Sequence, residues 1–259
     1  FFSSRRRHTR SLCDWSSDCA LPILKYRPDG SRAWVRRYDG PAHSNDQAVS
    51  IATDTSGGVA IGGCSYGATT LSDYAVVKYD RNGNKAWARR YNGLYTDLLQ
   101  GLVVTEMGDV IATGNSWHKD DVQSDALTIA WDMNGRLKWS QRYNGHGSLD
   151  AGHAIATDVN GNTYVAGITT NAGQTDILLL KYNGDGVQQW VRTYVGVANG
   201  YDNATAMLVD GGGNIYVTGT TWVGNVDYND IITLKYDSAG NLIWQQTYQG
   251  TGHRNDYPA

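Results

Sequence analysis

From residue 24 onward, short runs rich in Val, Ile, Thr, Tyr and Trp alternate with clusters of Gly, Asn and Asp. Residues 48–53, 59–64, 74–79 and 85–91 form one such set, and none carries the 3.6-residue apolar spacing of an amphipathic helix. Runs of this length, bounded by turn residues, predict strands. The turns have forms such as Asp80-Arg81-Asn82-Gly83-Asn84, Asp158-Val159-Asn160-Gly161-Asn162 and Asp237-Ser238-Ala239-Gly240-Asn241. Their Gly supplies the positive φ that a tight hairpin needs.

The pattern repeats. Trp34, Trp87, Trp139, Trp190 and Trp244 are spaced by 53, 52, 51 and 54 residues. Four residues after each stands Tyr38, Tyr91, Tyr143, Tyr194 or Tyr248, and two further on Gly40, Gly93, Gly145, Gly196 or Gly250. Upstream lies Lys25-Tyr26, Lys78-Tyr79, Ala130-Trp131, Lys181-Tyr182 or Lys235-Tyr236. Each period contains four strands, which we call a, b, c and d, with short turns joining a to b and c to d. A lone four-stranded sheet would expose an apolar face, and radial stacking of such sheets buries it. The expected fold is all-β, a β-propeller of four-stranded antiparallel blades. Complete blades are expected over 46–91, 97–143, 150–194 and 202–248, with a partial blade at 24–40 and the start of another at 254–259.

Within strand d the spacing of four puts Trp and Tyr on one sheet face, which should pack on the neighbouring blade. Strand a carries small residues at alternate positions (Ala48, Ser50; Gly101; Gly152, Ala154; Ala204, Ala206), suited to a crowded inner edge. The two ends of this pattern cut a repeat, since the partial blade has c and d but almost none of a and b. An open arc follows.

Composition agrees with many short strands and tight turns: 31 Gly, 17 Tyr and 9 Trp stand against 2 Phe in 259 residues. Residues 1–23 are set apart because 4–10 (SRRRHTR) and 14–23 read as the codons of a common sequencing-library adapter, which this segment resembles in translation. It is expected to be non-native and disordered. It holds four of the 22 basic and two of the 25 acidic residues, so the net charge of −3 becomes −5 without it. An acidic repeat region lacks the electrostatic footprint of nucleic-acid binding, and no apolar stretch is long enough to span a membrane. Cys64 is the only cysteine beyond that segment, which leaves no disulfide framework and no cysteine-based zinc site.

The repeat resembles the bacterial SBBP β-propeller repeat family. The resemblance is closest over residues 202–248, at Asp210, Gly213-Asn214, Tyr216-Val217-Thr218-Gly219, Asp230, Lys235-Tyr236-Asp237, Gly240-Asn241, Trp244 and Tyr248. The second blade departs most, with Thr105 in place of Asp and Trp131 in place of Tyr, so its turn is expected to differ. The resemblance implies a fragment of a larger, exported bacterial protein, extracellular, cell-surface or periplasmic, with no catalytic residues. The remaining blades of a full-length chain are then its first partner.

Because strands run up and down, the a–b and c–d turns share one face of the propeller and the b–c and d–a connections share the other. The second face carries the longer, divergent loops, with b–c loops expected at 65–72, 115–124, 168–175 and 220–229. Variable loops on a rigid scaffold are where binding resides. The candidate ligand-binding residues there are Tyr66, Tyr95, Trp117, His118, Tyr201, Trp222 and Tyr228. Aromatic faces beside carboxylates and amides suit a glycan, a peptide or a protein surface. The plainer alternative is that Trp117 and Trp222 only cover a blade edge.

Other chemistry is thinner. Gly63-Cys64-Ser65-Tyr66-Gly67 fits the G-x-S-x-G pattern, but a nucleophile elbow needs a helix after its turn. No cofactor is expected. Calcium is the one candidate, at Asp158, Asn160 and Asn162, which cluster oxygens like half an EF-hand loop but lack its distal Glu; turn chemistry alone accounts for them. A quinoprotein-like propeller enzyme shares only the Gly-x-x-x-Trp rhythm. The reading is a non-enzymatic binding or structural repeat module, with a quinoprotein-like enzyme or a calcium-stabilised carbohydrate-binding propeller as alternatives.

Overall fold

A computed structural model describes residues 21–68, 70–93, 95–117, 123–145, 149–171, 173–196, 200–224, 229–250 and 255–258. Eighteen strands are present among them. A two-stranded hairpin, β1 (Leu21–Tyr26) and β2 (Arg32–Tyr38), comes first. Blade I follows as β3 (Asp46–Thr53), β4 (Val59–Tyr66), β5 (Ser72–Tyr79) and β6 (Lys85–Tyr91). Blade II is β7 (Asp97–Val104), β8 (Val110–Trp117), β9 (Ser124–Trp131) and β10 (Leu137–Tyr143). Blade III is β11 (Ala151–Thr157), β12 (Thr163–Asn171), β13 (Gln174–Tyr182) and β14 (Gln188–Tyr194). Blade IV is β15 (Asn203–Val209), β16 (Ile215–Trp222), β17 (Asn229–Tyr236) and β18 (Leu242–Tyr248). Each blade is an antiparallel sheet whose strands neighbour one another in chain order, and the blades form an open arc of propeller type.

The apolar cores lie between blades. One joins Tyr74, Val76 and Trp87 of blade I to Leu99, Val110, Leu127, Ile129 and Trp131 of blade II. Another joins Tyr164, Ile177 and Leu179 of blade III to Ile215, Val217, Ile232 and Leu234 of blade IV. The middle strands β5 and β9 are buried along their whole length. Neither blade could keep these side chains dry alone, which is why the repeat needs neighbours.

Strand d makes the joint. Just before its Trp the pairing with strand c shifts by one residue in every blade, as between Leu137 and Trp139, and such a bulge re-aims the side chain that follows. The indole then lies over the c–d turn of the next blade. Trp87 Nε1 donates to the Met133 carbonyl at 3.0 Å, Trp139 Nε1 to Gly184 at 3.2 Å and Trp190 Nε1 to Ser238 at 3.3 Å. Two residues on, Arg89 and Arg192 donate through Nε to the carbonyls of Gly135 and Gly240 at 2.6 and 2.7 Å. A Cβ on Gly135 would sit 2.8 Å from the Trp87 ring, so that glycine serves the packing as well as its φ of 76°.

Three expectations change. Leu21, Pro22 and Ile23, assigned above to the adapter-like segment, pair with Tyr38, Arg37 and Arg36 in the first hairpin, and Ile23 is buried against Val59 and Ile61. Residues 1–20 lie outside the described residues. The Thr105 turn keeps the common form: Thr105 N donates to the Asp109 carbonyl and Gly108 N to the Thr105 carbonyl, both at 2.9 Å. The Thr105 hydroxyl accepts from Asp109 N at 3.1 Å, standing in for a carboxylate oxygen. Finally, the loop expected at 168–175 is mostly strand, because β12 and β13 stay paired to Asn171 and Gln174 and satisfy their backbone groups there.

Candidate binding face

The two faces of the arc differ in kind. On the a–b/c–d face, six of the nine described turns are closed by an Asp at their first position, and Thr105 and Asn183 take that place in two others. Asp158 Oδ1 accepts from the amides of Asn160 and Asn162, both at 2.9 Å, and Oδ2 accepts from Asn162 Nδ2 at 2.8 Å and the Tyr164 hydroxyl at 3.0 Å. Asp80, Asp210 and Asp237 bind their Asn in the same way. Burial pushes the Asp158 carboxyl up, but these hydrogen bonds outweigh it and hold it below the usual carboxylate range. The Asp158, Asn160 and Asn162 side chains thus close a turn, the carboxylate facing N–H and O–H donors. Among the described residues no three His, Cys, Asp or Glu side chains converge as metal ligands do.

On the b–c/d–a face, buried aspartates underlie the loops in two rows. Asp97 and Asp202, at the starts of strands a, accept from Gly93 N and Gly196 N, both at 2.6 Å, and Asp202 also accepts from Thr221 Oγ1 at 2.6 Å. Asp73, Asp125, Asp176 and Asp230, at the starts of strands c, are each at most 5% exposed. Arg90 Nη2 donates to Asp73 Oδ2 at 2.6 Å and to the Ser65 carbonyl at 2.9 Å. Arg142 repeats this one blade on, donating to Asp125 Oδ2 and the Ser116 carbonyl, both at 3.1 Å. Blades III and IV have Thr193 and Thr247 at that position. Burial raises the carboxyls of Asp97, Asp176 and Asp202, with Asp202 adding to the rise at Asp176. The sequence showed aspartates at repeat positions; their burial and pairing depend on packing and were not read from it.

Above this belt stand the candidate aromatics. Tyr66 ends β4 and is 42% exposed, and Tyr201, just before β15, is 61% exposed. Tyr95 is half-buried in the link before β7. Trp117 and Trp222 end strands b of blades II and IV and are half-buried. A Cβ on Gly200 would lie 2.2 Å from Trp222 Cε3, so that indole covers the loop leading into its own blade. Trp117 N donates to the Thr96 carbonyl at 3.1 Å. His118 and Tyr228 lie outside the described residues. Among the described residues, Tyr95 and Trp117 thus belong to blade II and Tyr201 and Trp222 to blade IV, with blade III between them. Ser65 of the G-x-S-x-G run is fully buried in mid-sheet, facing Asp46 and Asp73 in the pairing, and no turn to a helix follows it.

The period, the Trp joint and the Gly-to-Asp links meet in the comparisons with known proteins. Residues 138–173 and 189–225 match the SBBP family, a beta-propeller repeat. Both matches begin one residue before the joint Trp and run through strands d, a and b. Comparison with the curated proteins finds no match. Among solved structures, Chaetomium thermophilum Sqt1 bound to the N-terminus of ribosomal protein L10 is similar at a TM-score of 0.58 and 11% identity, over 92% of this chain and 58% of that one. The beta-propeller domain of the Trilobed protease from Pyrococcus furiosus gives 0.46 and 7%, over 79% and 57%. A Xanthomonas campestris gluconolactonase gives 0.45 and 18%, over 86% and 68%. The chain thus spans a little over half the length of the first two. At these identities the likeness is one of fold, and a fold by itself does not fix a function.

Proposed function

We propose that this chain is a non-enzymatic binding or structural repeat module of a larger, exported bacterial protein. The observation that carries this reading is the contrast between the faces. One repeats a single self-satisfied turn, while the other sets exposed Tyr66, at the end of a strand, and Tyr201, in a link between blades, above a buried polar belt. Tyrosine rings give an apolar platform with one polar tip, which suits an extended peptide or a glycan. Sqt1, which shares the fold, is seen with a peptide segment of a ribosomal protein, so the architecture is compatible with the peptide class.

No cofactor belongs to this reading. The Asp158 carboxylate accepts from two amides, Asn162 Nδ2 and the Tyr164 hydroxyl, so calcium is expected to leave the melting temperature unmoved; a rise abolished by Asp158→Ala would instead favour the calcium-stabilised alternative.

The binding reading is tested on peptide and glycan arrays with the wild-type chain and a Tyr66→Ala/Tyr201→Ala variant. Both side chains are exposed, so the expected result is loss of array signal with an unchanged melting temperature. Signal that survives both substitutions would remove this face as the site.

A further inference from the structure

Blades I and II each close their polar belt with an arginine of strand d, and the two arginines meet the same set of acceptors. Arg90 donates to the Ser65 hydroxyl and carbonyl of strand b and to Asp73 of strand c, with the Tyr38 hydroxyl of the first hairpin beside it. Arg142 donates through Nη1 to the Ser116 carbonyl and Asp125, and through Nη2 to the Ser116 hydroxyl at 2.9 Å and the Tyr91 hydroxyl of blade I at 3.3 Å. Both arginines are half-buried.

Blade III keeps the acceptors and changes the donor. Thr169 pairs with Asp176 across strands b and c, as Ser65 does with Asp73 and Ser116 with Asp125. Tyr143 of blade II packs on Leu178 and faces Thr169, in the place of Tyr91. Strand d carries Thr193 opposite Leu178, where Arg90 stands opposite Ala75 and Arg142 opposite Leu127. A threonine side chain is short and carries no charge. Asp176 and Thr169 are 5% and 4% exposed, and among the described residues Asp176 has neither a hydrogen-bond donor nor a cation. Thr193 itself is exposed, so the path that the arginine stems take in blades I and II meets solvent there.

We propose that blade III binds a guanidinium group from outside the chain at Asp176 and Thr169, on the b–c/d–a face beside Thr193. A guanidinium is a planar fork of N–H donors, so it meets a carboxylate, a carbonyl and hydroxyls at once. It is also more weakly hydrated than an ammonium, which lowers the cost of bringing it against a nearly buried carboxylate. By the pattern of Arg142, one terminal nitrogen would donate to Asp176 and the Thr169 carbonyl, and the other to the Thr169 and Tyr143 hydroxyls. The ligand class is a small guanidino compound or the arginine side chain of a peptide. The site uses neither Tyr66 nor Tyr201, so a Tyr66→Ala/Tyr201→Ala chain should keep it.

Amide NMR on the full chain at pH 7, titrated with ethylguanidinium chloride, tests this. The amides of Thr169, Asp176 and Thr193 are expected to shift and saturate, with a Kd on the order of 1 mM, the worth of about two charge-assisted hydrogen bonds. Ethylammonium chloride should bind at least about tenfold more weakly, since it cannot reach the acceptors together. Asp176→Asn removes the charge, and Thr193→Arg sets a tethered guanidinium against the same acceptors. Each should weaken binding at least about tenfold, while unchanged amide shifts in the other blades report an intact fold. Arginine amide and the peptide Gly-Gly-Arg-Gly-Gly separate the two sources: a peptide that binds tighter assigns the site to a peptide side chain, and equal affinities assign it to a small guanidino compound. Shifts that never saturate would overturn the proposal. So would equal binding of ethylammonium, the same amides moving with calcium chloride alone, or a Thr193→Arg chain that binds like the wild type.

Discussion

Thr193 and Thr247 occupy the place that Arg90 and Arg142 hold in two earlier blades, opposite a strand c residue two positions after a buried Asp. The consequence is electrostatic. Asp73 has a guanidinium at 2.6 Å, while Asp176 is raised by burial and by Asp202. A carboxyl raised in the folded state favours folding below its unfolded value, and that contribution is lost as pH rises through the folded value. Asp176 therefore weighs against the fold at neutral pH. Thr193→Arg should stabilise by about 1–2 kcal/mol at pH 7, the worth of a charge-assisted hydrogen bond. The gain should shrink as acid protonates Asp176, and melting curves between pH 7 and pH 4 check this; a gain independent of pH would mean that the arginine acts by packing. Asp230 was visible in the sequence as a repeat position, but a letter does not show whether a counter-ion lies across the strand.

The blade is the unit that the repeat encodes, and the joint is what makes it stable. Trp87 is 6% exposed, donates to Met133 and lies over Gly135, all in the next blade. Trp87→Ala should cost about 3–5 kcal/mol, the range for large buried aromatics. Trp244→Ala, at a side chain that is 37% exposed, should cost under about 1 kcal/mol, as surface changes do. Denaturation midpoints decide between this and an indole that serves only its own sheet, for which the two costs would match. The joint was legible as to residue type, since Trp and Tyr four apart share a face. The bulge before each Trp was not, because it leaves no composition signal and is a compromise between strand twist and the neighbour's turn.

Across the whole molecule, protection should follow distance from the open ends. Strands β8, β9, β12 and β13 are buried through most of their length, while β18 is exposed throughout and Val49 and Ile51 of β3 are 42% and 39% exposed. Repeat arrays gain stability from each neighbour, so end units open first. Amide exchange followed by mass spectrometry should show β1, β2 and β18 exchanging well before β8 and β12. Uniform exchange in dilute protein would mean that the arc unfolds as one unit, its end blades as stable as its middle.

The sequence by itself determined the period, four strands to the blade, the turns and their glycines, and the sharing of one face by Trp and Tyr. All of these rest on local chemistry, on backbone conformation and side-chain alternation within one repeat. Tertiary structure decided the rest. The aspartate belt, the bulged joint, the pairing that shortened the loop after β12, and the inclusion of Leu21–Ile23 in a strand each depend on a partner elsewhere in the chain. So does the exposure of Trp244 and Tyr26, two residues the repeat treats like their buried counterparts.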